Sequence, residues 1–228
     1  MPARARLSSL LQLWEAQEQG HINCMCQPFE LLELMGNGNP GEWWNRRLSV
    51  FDASEPQGLA ALADGLSAGA FPRTKQLDIN YTNVSDAGLS LLIRPLRQGA
   101  LPLLEEISIE GNSACDAFMV DLSNAVAEGA LQALRELNLS ANYIGNAGVK
   151  AFASAITSGA LPNLRKLQLR RNMFLSDDGV QDLAAALDSR RSLPSLSALL
   201  LTAPCIDNPR LKATCETRGI RLHNGSAK

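Results

Sequence analysis

The chain has 228 residues, a net charge of −2 at neutral pH and 5% aromatic residues. This length can bury a sizeable core, and the lack of a basic excess gives no reason to expect a nucleic-acid partner. Two histidines in the whole chain leave little scope for histidine-based catalysis, and no apolar run approaches the roughly 18 residues that a membrane span needs. We therefore predict no catalytic residues, no cofactor, and no nucleic-acid or membrane partner.

The N-terminal stretch MPARARLSSLLQLWEAQEQG is unlike a secretory signal. Its apolar part is soon interrupted by Glu15 and Glu18, and no small-residue cleavage site follows. The five cysteines, at positions 24, 26, 115, 205 and 215, are odd in number and scattered, which is typical of reduced thiols. We expect a protein of the cytoplasm, with the nucleus as the alternative compartment.

Residues 1–45 are predicted to form an N-terminal helical cap. Helices are expected near 6–18 and 28–35, before a loop rich in Gly, Asn and Pro that ends in Trp43 and Trp44. In one interpretation both tryptophans cover the first unit of the repeat that follows. In the other, this segment is a separate recognition element.

Two short motifs contain residue types that bind metals. His21, Cys24 and Cys26 lie together, but a zinc site usually has four ligands with a second pair at a defined spacing. Asp177 and Asp178 precede a glycine but lack the later ligands of a calcium loop, and acidic residues also suit the start of a helix. Structural roles are favoured for both motifs, and we predict no metal site.

Residues 46–203 repeat a pattern about every 30 residues. Leu137-Asn-Leu139, followed by Asn142, returns as Leu167-Gln-Leu169, followed by Asn172. A second marker of the type Gly-Ala-Leu-Pro keeps the same spacing. Two independent markers in register indicate a solenoid, here with about six units. Strands are predicted at 48–50, 77–79, 107–109, 137–139, 167–169 and 199–201.

Each unit is predicted to contain a strand, a turn, a helix and a second turn. The Leu-x-Leu triplets alternate with period two, as half-buried strands do. An apolar stripe with helical spacing follows, as at Val149, Phe152, Ala153 and Ile156. Parallel stacking of the units would bury both apolar faces. Because helices are wider than strands, roughly 10 Å against 4.8 Å, we expect a curved α/β solenoid with a concave parallel sheet and convex helices.

Residues 204–228 are predicted to form a C-terminal cap and tail. Asn208 is expected to cap a helix that begins at Pro209 and ends at Gly219. A last strand is expected at 220–222. Terminal units of a solenoid differ from the others because they cover the exposed end of the core.

The pattern L-x-x-L-x-L-x-x-N, followed by a loop, a glycine and a helix, resembles the leucine-rich repeats of the ribonuclease-inhibitor type. Ran GTPase-activating proteins and the sensor arms of NOD-like receptors share these repeats. The resemblance covers residues 46–203 and implies a horseshoe-shaped leucine-rich-repeat solenoid. It also implies a structural ladder in which each side chain bonds to the backbone of its turn, formed by Asn112, Asn142 and Asn172.

A partner-binding surface is predicted on the concave face, because the residues that flank each buried leucine point to solvent. Acidic side chains are expected on the middle strands and basic ones on the strand that follows. Two outward aromatic residues, Phe51 and Tyr81, are candidate anchors. The predicted contact residues are Phe51, Asp78, Tyr81, Glu106, Glu110, Glu136, Lys166, Arg170 and Arg171. The alternative is an ordinary solvated sheet face whose charges serve only solubility.

The leading functional hypothesis is a non-catalytic, monomeric module that binds a partner protein on the concave face. The resemblance implies two alternatives: a GTPase activator like the Ran-directed one, and a ribonuclease inhibitor or relative of a NOD-like sensor arm. The Ran-directed activator has more repeats and an acidic tail, whereas this sequence ends in RGIRLHNGSAK. Ribonuclease inhibitors are longer and richer in cysteine.

Overall fold

The computed structural model describes residues 22–24, 47–50, 56–69 and 71–224. Strands and helices alternate along these residues. The strands are β1 (Ile22–Cys24), β2 (Arg47–Val50), β3 (Gln76–Asp78), β4 (Glu106–Ser108), β5 (Glu136–Asn138), β6 (Lys166–Gln168), β7 (Ala198–Leu201) and β8 (Arg221–Asn224). The helices are α1 (Pro56–Ser67), α2 (Asp86–Arg97), α3 (Asp116–Ala127), α4 (Asn146–Ile156), α5 (Asp177–Leu187) and α6 (Pro209–Arg218), with a 3-10 turn at Cys205–Asp207.

The strands form one sheet in chain order, and β2 to β8 are parallel. The register follows the repeat, because Leu77 lies opposite Ile107, Leu137 lies opposite Leu167, and Leu167 lies opposite Leu199. Each helix packs against the next helix along the chain. The predicted fold, an open α/β solenoid with a parallel sheet, is therefore confirmed.

One strand at the N-terminal edge was not predicted. β1 pairs antiparallel with β2, with Ile22 opposite Val50 and Cys24 opposite Leu48. Only helices and a loop were expected in this region, because a three-residue strand is too short to show an alternating pattern. β1 occupies the hydrogen-bonding edge of β2, which protects an edge that would otherwise invite pairing with another chain. The helices expected near 6–18 and 28–35, and both tryptophans, lie outside the described residues.

The apolar core is continuous from Leu59 to Ile220. Strand leucines such as Leu77, Leu137 and Leu167 and helix residues such as Phe152 and Leu183 belong to one buried cluster. Full burial of such a side chain contributes roughly 1.5–3 kcal/mol. Successive units contact each other through both their strands and their helices, as in other solenoids. Within the described part of the chain, no helix combines the length and apolarity needed to cross a membrane.

A buried asparagine at the end of each middle strand connects two successive repeats. The Nδ2 group of Asn142 donates to the carbonyl oxygens of Leu139 at 3.2 Å and Ile109 at 2.9 Å, one repeat earlier. Its Oδ1 accepts from the backbone N–H of Ala114 at 3.0 Å, also one repeat earlier. Asn112 and Asn172 make the equivalent contacts. One amide thus pairs backbone groups of two loops that are shielded from water.

At the first described position of the ladder, a threonine replaces the asparagine. Thr82 occupies the slot that asparagine takes in the next three units, and its hydroxyl lies 3.0 Å from the carbonyl oxygen of Ile79 and 3.1 Å from Asn112 Oδ1. A hydroxyl is shorter than an amide and has one proton to donate. Thr82 therefore bonds to the backbone of its own turn, but its side chain is shorter than that of the ladder asparagines.

A second ladder runs along the start of the helices. Asp116, the first residue of α3, accepts through Oδ1 from the N–H groups of Gly145 at 2.7 Å and Gly148 at 2.9 Å. These two residues are the N-cap and third residue of α4. In the same way, Asp86 Oδ1 accepts from Cys115 at 2.6 Å and Phe118 at 3.2 Å. The helices α3 and α4 are thus capped by the preceding repeat, and neither Cys115 nor Gly145 caps its own helix with a side chain.

Asn146 continues this second ladder. It is the first residue of α4. Its Oδ1 accepts from the N–H of Ser176 at 2.9 Å, and its Nδ2 donates to the Ser176 hydroxyl at 2.8 Å. Gly148 and Gly179 make room for these capping side chains, since a Cβ at Gly148 would lie 2.6 Å from Asp116 Oδ1.

Replacement of Asn142 by alanine should destabilise the fold by about 1–3 kcal/mol, because it leaves buried backbone groups unpaired. Urea unfolding monitored by circular dichroism measures the difference. Asn124→Ala is the matched control, since Asn124 is exposed on α3 and alanine has the higher helix propensity. Equal unfolding midpoints for the two variants would contradict the structural role of the ladder.

Replacement of Asp116 by alanine should cost about 0.5–2 kcal/mol, the usual range for a lost N-cap, although the helix it destabilises is α4 rather than its own α3. Hydrogen exchange should therefore speed up at the first turn of α4. Asp182→Ala serves as control, because Asp182 has no side-chain hydrogen bond or ion pair with the described residues. Faster exchange confined to α3 would show that the capping acts locally and not between repeats.

Candidate interaction surface

The outward face of the sheet is organised into rows that run across the strands. The first row contains Gln76, Glu106, Glu136 and Lys166, which are neighbours in the strand register. Gln76 Nε2 donates to Glu106 at 3.0 Å, and Lys166 Nζ forms a salt bridge with Glu136 at 3.2 Å. All of these side chains remain partly or fully exposed. Glu106 and Glu136 therefore present carboxylates to solvent, although Lys166 partly offsets the charge of Glu136.

A polar network lies beside this row and is centred on Glu110. Tyr81 donates its hydroxyl proton to Glu110 Oε1 at 2.7 Å, and Asn138 Nδ2 donates to Glu110 Oε2 at 2.9 Å. Asn138 also donates to the Ser108 hydroxyl at 3.0 Å, which in turn donates to Asn80 Oδ1 at 2.8 Å. The network connects β3, β4 and β5, so the carboxylate of Glu110 is held in one orientation.

The surroundings of Glu110 favour its ionised form. Partial burial alone would raise the pKa of this carboxyl group, but the hydrogen bonds from Tyr81 and Asn138 and the charges of Arg170 and Arg171 outweigh burial and lower the pKa. The hydrogen bond to Glu110 is also the main reason that the pKa of Tyr81 is raised. At neutral pH, Glu110 is a carboxylate and Tyr81 is a phenol that donates to it.

The ring of Tyr81 lies against Gly111, which follows the neighbouring strand β4. Its backbone has φ +54°, and a Cβ placed on Gly111 would lie 2.3 Å from Tyr81 Cδ1. Any other residue at position 111 would therefore displace the ring. Tyr81 remains 67% exposed, so an aromatic surface is available while its hydroxyl is held by Glu110. The other predicted anchor, Phe51, lies outside the described residues.

Arg170 and Arg171 form the basic end of the face. Arg170 donates to Gln168 Oε1 at 3.2 Å, and Arg171 is exposed, with its backbone N–H bonded to the Thr202 hydroxyl at 2.8 Å. Neither guanidinium group forms a salt bridge with the described residues. Asp78, the remaining predicted contact residue, is half-buried on β3 opposite Ser108.

A group of exposed apolar side chains next to this face was not predicted from the sequence. Tyr143, Met173 and Phe174 follow the ladder asparagines at the carboxyl ends of β5 and β6, and the rings of Tyr143 and Phe174 lie 6.2 Å apart. The available signal was positional, since Tyr143 and Met173 both come directly after a ladder asparagine. Apolar residues at that position would point away from the core.

The described residues offer no other obvious chemical centre. Among them, no three His, Cys, Asp or Glu side chains lie close enough to hold a metal ion together. His21 and Cys26 are outside this set. Burial raises the pKa of the Cys215 thiol to about 11 and also raises that of Cys205. Both thiols are therefore protonated at neutral pH and are poor nucleophiles.

Comparison with known proteins agrees with the repeat seen in the fold. The family described as Leucine Rich repeat matches residues 130–153 and 160–184. The chain contains leucine-rich repeats. The matched residues fall on two successive units and contain β5, most of α4, β6 and most of α5. The resemblance to leucine-rich repeats stated from the sequence is confirmed.

Two solved structures have a similar fold. The Caenorhabditis elegans tropomodulin C-terminal domain is 15% identical, with a TM-score of 0.56 over 70% of this chain and 92% of that domain. The actin-binding site 2 of leiomodin-1 is 14% identical, with a TM-score of 0.55 over 68% of this chain and 88% of that chain. No curated protein matches the chain in sequence. At this level of identity the likeness concerns the fold alone.

Glu110 predicts a specific acid sensitivity. Since its pKa in the folded protein is lower than the ordinary 4.5, its carboxylate stabilises the fold above that pH, and this contribution is lost as pH falls through the lowered value. Urea midpoints measured from pH 7 to pH 3 should therefore fall less steeply for Glu110→Gln than for the wild type. Glu216→Gln, at an exposed helix position, should follow the wild type. A Glu110→Gln slope equal to that of the wild type would contradict the role of the network.

Proposed function

We propose that this leucine-rich-repeat protein is a non-catalytic interaction module that binds a partner protein on its concave face. The observation that carries the proposal is the separation of charge on one sheet face. Glu106, Glu110 and Glu136 lie on or directly after β4 and β5, whereas Arg170 and Arg171 follow β6. Adjacent strands are about 4.8 Å apart, so like charges on neighbouring strands act together on an approaching surface.

The internal hydrogen bonds of the face support binding rather than oppose it. Side chains that must be ordered on association cost roughly 0.5–1.5 kcal/mol each. Glu110 and Tyr81 are already ordered by their mutual hydrogen bond, so this cost is reduced. The ring of Tyr81 is still exposed, and aromatic residues are frequent energetic centres of interfaces. The partner we propose presents basic groups opposite β4 and β5 and acidic groups opposite β6.

The alternatives lead to separate measurements. The likeness to the actin-binding site 2 of leiomodin-1 makes actin a named candidate partner, which filament co-sedimentation and monomer binding test directly. The GTPase-activator and ribonuclease-inhibitor hypotheses are tested by GTP hydrolysis with a panel of small GTPases and by titration against a secreted ribonuclease. We further propose that the protein is monomeric and works in the cytoplasm or nucleus. Acceleration of GTP hydrolysis at catalytic amounts would overturn the non-catalytic proposal.

Charge reversal tests the binding face. Glu106→Lys with Glu136→Lys should lower the affinity for the captured partner at least tenfold. Association of the wild type with this partner should slow as the salt concentration rises, because exposed charges are screened beyond about 10 Å at 0.1 M. The fold should survive, since surface changes usually cost under about 0.5 kcal/mol. The measurement is affinity capture from a lysate, followed by kinetics with the purified partner.

A matched control carries the same change of charge on the convex side. Asp64→Lys with Asp182→Lys alters two residues of the outer helices α1 and α5 and should leave partner affinity unchanged. Loss of the partner in this control, with retention in the Glu106 and Glu136 variant, would assign binding to the convex face. Equal loss in both would indicate a nonspecific electrostatic attraction.

A further inference from the structure

Three exposed apolar side chains lie at the rim where the strands of the concave face end. Met173 is 75% exposed, Phe174 62% and Tyr143 46%. We name these three residues the rim cluster. The rings of Tyr143 and Phe174 are tilted by 40° with centroids 6.2 Å apart, which is within the range of favourable aromatic pairs. Tyr143 and Phe174 therefore form an apolar pair, and Met173 is next to Phe174 in the chain.

A one-residue insertion places Met173 and Phe174 in solvent. After Asn142, the next core residue is Ile144, two positions later; after Asn172 it is Leu175, three positions later. The extra residue is absorbed by a tight turn in which the Leu175 N–H donates to the Asn172 carbonyl at 3.1 Å. Both ends of the turn are thus held in the core. The two side chains between them are presented to solvent by a fixed backbone.

A cleft of about 270 Å³ opens beside Met173. Its lining includes Leu175, Leu201, Pro204 and Arg171, so apolar walls meet one cationic side chain. Pockets for drug-sized ligands usually measure about 300–1,000 Å³. The cleft is smaller than these, which suits a single large side chain of a partner better than a small molecule.

The charges beside the cleft are unbalanced. Arg170 and Arg171 have no salt-bridge partner among the described residues. The outward positions of the next strand carry Ala198 and Leu200, followed by Thr202, and none of these is acidic. Glu110 interacts electrostatically with both arginines, but its carboxylate already accepts hydrogen bonds from Tyr81 and Asn138. This end of the face is therefore left with an excess of positive charge.

We propose that the rim cluster, the cleft and the two arginines form a docking site for an acidic segment of a partner protein that carries a large apolar side chain. The proposal deepens the proposed function and rests on it. The apolar side chain enters the cleft against Met173 and Pro204. Flanking carboxylates bind the guanidinium groups of Arg170 and Arg171, whose planar donors suit bidentate contact with carboxylates.

Selection from a phage-displayed random dodecapeptide library, using the whole chain as bait, tests the proposal and does not require an identified partner. We expect enrichment of peptides that combine two or more Asp or Glu residues with Phe, Trp, Leu or Met. Fluorescence anisotropy with the enriched peptides should then show at least tenfold weaker binding to Arg170→Glu with Arg171→Glu, and separately to Met173→Ser with Phe174→Ser. Circular dichroism and urea unfolding check that both variants fold.

The matched control is Arg190→Glu with Arg191→Glu. These are also two adjacent exposed arginines, but they lie in the turn between α5 and β7, and their reversal should leave peptide binding unchanged. Absence of enrichment, or enrichment of neutral or basic peptides, would overturn the proposal. So would peptide binding that is equal in the wild type and the Arg170 and Arg171 variant.

Three further outcomes show which of the two proposals fails. If the Glu106 and Glu136 variant loses peptide binding while the Arg170 and Arg171 variant and the Met173 and Phe174 variant keep it, the docking site is overturned. Binding on the concave face is then supported. Peptide binding that is lost only in the Asp64 and Asp182 variant overturns both. If the rim instead binds a second copy of the chain, sedimentation will show a wild-type dimer that Met173→Ser with Phe174→Ser converts to a monomer, and the acidic-partner proposal fails.

Discussion

The asparagine amide at the end of each middle strand is the interaction on which the rest of the structure depends. A single side chain satisfies backbone groups in its own turn and in the preceding repeat, as Asn142 does with Leu139, Ile109 and Ala114. Buried backbone groups that lack partners are costly, so two neighbouring repeats cannot slide past each other without losing these bonds. The amide therefore sets the strand register. That register in turn aligns the rows of charged side chains on the outward face.

The helix side has its own connection between repeats, and the two ladders constrain different layers. The asparagines join strand ends, whereas Asp86, Asp116 and Asn146 join the starts of successive helices. In a solenoid the contacts of each unit are confined to its neighbours, so stability is approximately a sum of unit and interface terms. Two separate polar links at each interface between the middle units raise the interface term. Such coupling lets units that cannot fold alone behave as one cooperative body.

The architecture could be predicted from the sequence because two periodicities, one of strands and one of helices, recur at a fixed interval. The sequence also shows an acidic or amide residue that recurs every 30 positions, at Asp86, Asp116 and Asn146. The hydrogen-bond partners of these residues lie in the next repeat, so the sequence alone does not identify them. The contact of Tyr81 with Glu110 could not be predicted, since it depends on the ring turning across the space that Gly111 leaves open. The strand β1 was not predicted, because three residues are too few to show the alternation of apolar and polar side chains. The rim cluster was not predicted, because a one-residue insertion looks like an irregular repeat in the sequence and does not indicate which side chains are exposed.

The extra residue between Asn172 and Leu175 shows that a loop at the rim can change without a change in the strands and helices. Both flanking positions stay in the core, so the insertion changes neither the sheet nor the order of the helices, and loop length adds little entropy cost. Rim loops can consequently vary in length and composition while the strands and helices stay in place. Related chains with the same frame could acquire different partners through changes at the rim alone. Recognition in such a lineage would diversify faster than the fold that supports it.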